Sequence, residues 1–369
     1  VHVVRRQGDV RAGKLIDAPL TTPKSPAPSP GFSLLRFAAM DVRVRRDDAA
    51  LNDLSDEWLT LWRSDPAASV FQTPLYVRAA WETEIGADQS LALVEMRRDG
   101  ALVGVVAASV DVDGRLRFLG NKEVTDYLGP VCEPSDREAV ADGFFRAASE
   151  LEWSSAELFG LASDSGWPEA LARAAKAAGF AVDEIQQDVC PRVGSLGTYD
   201  EYLASLDGKL RHEIRRKARR LERDAGAYTI RASDASTLDA DLERFYEMHR
   251  SSSGPKGRFM HEDVAVLFTR IARAFQSEGW LRLTWLEHEG EALAGMFSFA
   301  AKGVWSVYNS AYDHARGELA PGMVLMAETI RLATEEGCGT FDMLRGAEPY
   351  KYRFGAVDIP LVELNVTRA

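Results

Sequence analysis

Seven ionisable or phenolic side chains crowd into the fifteen residues Phe341 to Gly355, FDMLRGAEPYKYRFG: Asp342, Arg345, Glu348, Tyr350, Lys351, Tyr352 and Arg353. Two glycines and a proline stand among them, and a short apolar strand precedes them. An unpaired charge in a core costs several kcal/mol or shifts its pKa. Such a density therefore belongs to a salt-bridged turn closing a sheet, or to a site that handles protons and anions.

Further candidates lie upstream. The segment Asp207 to Ala225 reads as a helix capped by Gly226, with Leu210, Ile214 and Leu221 as its buried stripe. Eight basic residues, Lys209, Arg211, Arg215, Arg216, Lys217, Arg219, Arg220 and Arg223, face Glu213 and Glu222. This is a solvated outer face or a cationic wall for phosphates. The loop Arg250 to Met260, RSSSGPKGRFM, is glycine-rich and carries Lys256 and Arg258. The strand Val304 to Tyr312 alternates so that Ser306, Tyr308 and Ser310 share one face, opposite Trp305, Val307, Asn309 and Ala311. The turn Asp313 to Met323 leads into a helix whose free N–H groups favour an anion. None of the six histidines has metal-ligand spacing, and no GxSxG, GxxxxGK[ST] or dinucleotide GxGxxG occurs.

The elements that position these groups come in two similar sets. Leu91 to Gly104 (LALVEMRRDGALVG) and Leu281 to Gly295 (LRLTWLEHEGEALAG) both alternate, turn on an acidic-Gly pair and run apolar to a second glycine. That is a hairpin signature, and its recurrence points to two related domains meeting near Pro191 to Gly197. Strands are expected at 90–98, 101–111, 115–119 and 156–161, with helices at 136–152 and 166–178. The second half should hold strands at 280–288, 292–300, 304–312, 339–344 and 359–366, and a helix at 321–336 with Met323, Met326, Ala327, Ile330 and Ala333 on one face. The fold class is α+β, each half a mainly antiparallel sheet flanked by helices.

The chain of 369 residues carries a net charge of −12. Residues 1–39 hold six basic and two acidic residues, leaving −16 for the rest. That excludes a general DNA binder but leaves room for one local basic groove. Cys132, Cys190 and Cys338 are far apart, which suggests neither a disulfide framework nor zinc. No apolar run reaches the length of a transmembrane helix, and a cytoplasmic location is expected. The Pro/Ser-rich Pro19 to Gly31 reads as disordered. Met40 reads as the native start, with 1–39 an upstream extension. The domains are then 40–190 and 191–369.

The ordered set LRHEIRRKARRLERDAG (210–226), FYEMHR (245–250), EGEALAGMFSF (289–299), YNSAYD (308–313), APGMVLM (320–326) and FDMLRGAEPYKYRFG resembles the GNAT-fold acyltransferases of the CelD type, known from cellulose biosynthesis. These are similar to the FemAB-type aminoacyltransferases of cell-wall synthesis. FQTPLYVRAAW (71–81) and TDYLGPV (125–131) resemble first-half motifs of the same group, so the likeness spans roughly 42–369.

The resemblance implies two tandem GNAT-like domains and transfer of an acyl group to an amine without a metal. It implies acetyl-CoA or another acyl-CoA as donor, held in a splayed sheet with its pyrophosphate on the helix starting near Pro321 or Gly322. The usual [RQ]-x-x-G-x-[GA] is reduced here to L-A-P-G-M-V from Leu319. FemAB-type relatives take charged tRNA instead, which the basic helix would suit. The acceptor would be a small-molecule or cell-envelope amine.

Amine attack on an acyl carbonyl needs a free amine, an anion-stabilising group and a proton for the leaving group. Lys351 is expected to stabilise the oxyanion or a donor phosphate, with Asp342 orienting it or accepting from the amine, and Tyr350 or Tyr308 giving the proton. A Lys351→Ala variant should then lose turnover without unfolding. Gly322, Met323, Arg345, Arg215 and Arg219 are the expected donor-binding residues. Asp126, Tyr127 and Asn309 are the acceptor-side candidates, an ordinary turn being the competing reading of the first two. A non-catalytic binding or scaffold role on the same fold stays open.

Overall fold

Both acidic-Gly pairs turn hairpins as their sequences require. Asp99-Gly100 has φ of 51° and 84°, and Glu289-Gly290 has 51° and 82°, the left-handed pair that matches the twist of the flanking strands. The second glycine of the first hairpin answers a close approach: a Cβ on Gly104 would lie 2.5 Å from Val140 on the helix packed over it.

The computed structural model describes residues 40–83, 87–252 and 254–368. The expected extension 1–39 lies outside them. Among the described residues the strands are β1 Asp41–Arg45, β2 Gln89–Arg98, β3 Ala101–Asp111, β4 Arg115–Phe118, β5 Val131–Cys132, β6 Ser155–Ala162, β7 Phe180–Gly194, β8 Thr229–Ala232, β9 Leu281–His288, β10 Glu291–Ala301, β11 Val304–Tyr312, β12 Thr340–Asp342 and β13 Val357–Arg368. The helices are α1 Ala49–Asp53, α2 Ser55–Ser64, α3 Pro74–Trp81, α4 Arg137–Ser149, α5 Trp167–Ala177, α6 Tyr199–Ser205, α7 Gly208–Ala225, α8 Leu238–Arg250, α9 Pro255–Phe259, α10 Glu262–Ser277 and α11 Pro321–Glu335.

All the strands join one mixed sheet in the order β1-β2-β3-β4-β6-β13-β7-β12-β11-β10-β9-β8, with β5 on β3. The order is palindromic about the β13/β7 pair. On each side an antiparallel run ends in a short parallel pair: β4 with β6 from Arg115/Ser155 to Arg117/Glu157, and β11 with β12 from Val304/Thr340 to Ser306/Asp342. The fold is therefore α+β, with helices on a sheet that runs unbroken through the expected boundary. The end of β7 pairs with β12 at Arg192 to Gly194, while β13 returns from the second half to lie between β6 and β7.

Helices cover both faces. α4 and α5 pack on the first half around Phe144, Phe145 and Trp167, and α7 and α11 pack on the second around Leu221, Leu325 and Ile330. A third apolar cluster crosses the middle, where Phe71 and Tyr76 of the first half meet Phe268 and Phe299 of the second. Full burial of each such ring contributes about 1.5–3 kcal/mol, so the seam is core rather than hinge.

Candidate active site at the seam

β12 ends at Asp342, and the chain turns there through Leu344, whose φ is 53°. The Asp342 carboxylate, 2% exposed, fixes that turn by accepting the Leu344 N–H at 2.8 Å on Oδ1. Its Oδ2 accepts the Tyr127 hydroxyl at 2.8 Å and Arg192 Nε at 2.7 Å. Arg192 reaches on to Asp164 at 2.8 Å and lies over the Tyr127 ring at 5.1 Å. Burial, then the Asp342 charge, push the Tyr127 phenol up, so it stays a donor. Asp342 is thus held by Tyr127 of the first half and by Arg192 at the end of β7, and no ion pair joins it to Lys351 among the described residues, contrary to the expected pairing.

Lys351 opens a short turn, Lys351–Phe354, and is 3% exposed. Its Nζ donates to Leu344 O at 2.9 Å and Arg345 O at 2.7 Å, and pairs with Glu348 at 3.0 Å. All three ammonium donors are therefore spent on the loop 344–348. Tyr350 is 38% exposed on the outside of the same turn.

The alternation expected for β11 breaks in the middle. Phe297 pairs with Asn309 but Ser298 pairs with Val307, so Tyr308 is the extra residue of a β-bulge. Tyr308 and Asn309 consequently face the same side. Tyr308 stacks on Phe268 of α10 at 4.7 Å and donates to Val124 O at 2.5 Å. Asn309 Oδ1 accepts the Ser310 N–H at 2.8 Å and lies 3.0 Å from Nε2 of His249 on α8. Because a carbonyl oxygen only accepts, that ring nitrogen carries the proton. Tyr312 turns to the other face, beside the start of α11.

Asp126 and Tyr127 do not form an ordinary surface turn. Both are buried. Asp126 lies 3.4 Å from Arg345 Nε, which also approaches Asp188 at 4.0 Å. Burial raises the Asp126 carboxyl to about 6 against the pull of Arg345 and Lys351. Val124 O accepts from both Tyr308 and Tyr76, and Tyr76 also bonds Thr125 at 2.9 Å. The segment 124–127 thus brings Val124, Asp126 and Tyr127 against Tyr308, Arg345 and Asp342 of the second half. Beside it opens a cleft of about 680 Å³ lined from both halves, with Gln72, Tyr127, Arg192, Ser306, Lys302 and Asp342 on its walls.

The start of α11 is poorly equipped for an anion. Pro321 has no N–H, and Met323 and Val324 already donate to Ala320 O, leaving Gly322. Met323 Sδ meets Arg353 at 3.8 Å. α7 packs against α11. Asp224 takes up Arg220 and Arg223, an acid absent from the expected balance. Arg211 turns to the carbonyls of Leu203, Ala204 and Leu206. Arg215 and Arg219 remain exposed, with no carboxylate partner among the described residues, along one side of an open concavity of about 610 Å³. They do not reach the Asp342 cluster.

Arg192, Asp164, Tyr76 and His249 were not anticipated. Arg192 sat in the expected linker, and the signal was a lone arginine between apolar residues at a strand end. Among the described residues no cluster of three or more His, Cys, Asp or Glu side chains has the arrangement of a metal site. No described helix is long and apolar enough to cross a membrane. The three cysteines are free and buried.

Residues 208–352 match the family model of the acetyltransferase (GNAT) domain. No curated protein matches the chain. Among solved structures, FemX is similar over 84% of this chain and 95% of its own, with a TM-score of 0.62 and 14% identity. The C-terminal domain of a putative lysylphosphatidylglycerol synthetase from Agrobacterium fabrum gives 0.55 at 13% identity, over 86% of this chain and 92% of that domain. L-PGS from Bacillus licheniformis gives 0.55 at 15%, over 88% and 92%. At these identities the likeness is one of fold. The bulged β11, the parting of β11 from β12 and the helix between them lie within the matched residues 208–352.

Proposed function

We propose that this chain transfers an acyl group from an ester on tRNA to an amine. The carrying observation is the contrast between two neighbouring helices. α11 offers a single free N–H where a CoA pyrophosphate would sit, whereas α7 presents Arg215 and Arg219 to solvent with no carboxylate partner among the described residues. The name of one similar structure, a putative lysylphosphatidylglycerol synthetase, supports aminoacyl transfer as the reaction class but says nothing for the amine, since phosphatidylglycerol offers hydroxyls.

In this reading the acceptor amine enters by the cleft between the halves. Asp126 takes its proton as the N–C bond forms and returns it to the ribose hydroxyl as the C–O bond breaks. Arg345, beside Asp126, draws an anionic part of acceptor or donor. Asn309, held by His249 at the bulge, contacts the acyl group. Lys351, Asp342 and Tyr308 fix the loop and the bulge rather than reacting. The acceptor is a small-molecule or cell-envelope amine, and a cytoplasmic location goes with that donor. Placement with CelD-type proteins, and the division into GNAT-like units at 40–190 and 191–369, rest on motif order and on the palindromic sheet.

A second reading, acyl-CoA as donor, is favoured by the GNAT match itself. Titrating the protein with charged tRNA and, separately, with acetyl-CoA decides between them. Salt-sensitive binding of tRNA alone supports the first reading; saturable acetyl-CoA binding without tRNA binding overturns it.

A further inference from the structure

The sheet is palindromic, so the first half should possess its own counterpart of the place where β11 and β12 part. Beyond Ser306, β11 runs on to Tyr312 along β10. Among the described residues no other backbone segment hydrogen-bonds to its outer edge from Val307 to Ala311. The matching place in the first half lies beyond Arg117 and Glu157, where β4 and β6 separate. It is filled. The chain leaves β4 at Phe118, turns at Asn121 to Thr125, and lays Leu128 against the freed part of β6, its N–H donating to Gly160 O at 2.8 Å. It then rejoins β3 as β5.

The fit depends on a missing side chain. Gly160 has φ of 75°, and a Cβ there would stand 3.2 Å from Leu128 N and 3.5 Å from Asp126 O. Leu119, Val124, Leu128 and Val131 are all buried. The same filling segment sends Val124 O, Asp126 and Tyr127 across the seam to Tyr308, Arg345 and Asp342.

We infer that residues 121–130 occupy the first half's own donor slot, so that each chain has one donor site, and that Gly160 is the positioning residue that seats this segment and thereby sets Asp126 at the site in the other half. The assignment of Asp126 as the proton acceptor rests on the function proposed above; the seating of the segment by Gly160 does not.

The test is Gly160→Ala beside Gly179→Ala. Gly179 has φ of 85° and nothing within 4 Å of a Cβ, so it imposes similar backbone strain without touching the segment. Carboxyl NMR of Asp126, assigned with Asp126→Asn, reads the outcome without any substrate. The expected result is that the Asp126 midpoint falls from about 6 toward the ordinary carboxylate range in Gly160→Ala, the Leu128 amide loses hydrogen-exchange protection at least tenfold, and Gly179→Ala changes neither. Equal behaviour of the two variants would overturn the role of Gly160. Binding of two charged tRNAs or two acetyl-CoA molecules per chain would overturn the filled slot, whereas a donor other than tRNA, bound once, would refute only the proposed function.

Discussion

Lys351 shows how burial redistributes roles that residue types alone suggest. Its charge is real, but all its donors close on two carbonyls and one carboxylate of its own loop. Hydrogen bonds to a charged group contribute about 1.5–3 kcal/mol, so Lys351→Ala should lower stability by ~3 kcal/mol in urea unfolding as well as activity. A fully stable, inactive variant would return Lys351 to direct chemistry. Asp126 behaves in the opposite way. Its folded carboxyl titrates at about 6, against ~4 when unfolded. The folded state therefore binds the proton more tightly, and this group's share of stability is lost as pH rises from about 4 through 6. By pH 7 the ionised group costs roughly 3 kcal/mol. Asp126→Asn should flatten that slope and leave the protein no less stable at pH 7, while turnover collapses; a marked destabilisation at pH 7 would mark Asp126 as a structural partner of Arg345 instead. The Asp342-centred motif was legible because seven such side chains in fifteen residues are hard to explain otherwise. Their partners were not, because Tyr127 and Arg192 lie 215 and 150 positions from Asp342, a distance at which sequence spacing carries no geometry.

Elements with one apolar stripe or strict alternation were readable: the two hairpins, α7 and α11 start and stop within a residue or two of their expected bounds. β7 was not. Its fifteen residues show a largely exposed first stretch, Phe180 to Gln187, followed by buried Cys190 and Pro191. The pattern changes along the strand because β13 lines one edge through Arg192, whereas the other edge is met by the 343–346 loop from Val189 and by β12 from Arg192. The bulge at Tyr308 was equally hidden, since one extra residue reverses faces without altering composition. On α7 the charge excess was legible but the sharing was not: Asp224 pairs with the C-terminal arginines and leaves the stretch proposed for the donor further back. Arg215→Glu with Arg219→Glu should therefore weaken charged-tRNA binding at least tenfold and reduce the steepness of its log–log salt dependence by about 1.5 to 2. Thermal stability should not change, both side chains being exposed. An unchanged salt slope would remove α7 from the donor path.

The molecule as a whole is tied together by a strand that belongs, by position in the chain, to the wrong half. β13 pairs along its length with β7 and with β6 on its other edge, burying Leu361, Leu364 and Val366. Separate expression of 40–194 and 195–369 should consequently give two unfolded or aggregated products, and unfolding of the full chain should be a single transition by calorimetry. An independently folded fragment would show that the shared strand is dispensable. The arrangement also sets an order of events during synthesis. When the ribosome has completed β7, every other strand of the first half exists, yet β6 and β7 have no partner to join them until more than 160 further residues have been made. At 5–20 residues per second that wait is roughly ten to thirty seconds. One edge of β6 and both edges of β7 lack their strand partners through most of that time, a template for pairing with a neighbouring nascent chain. Yield in a host with depleted chaperones should therefore fall more steeply for this protein than its equilibrium stability would suggest.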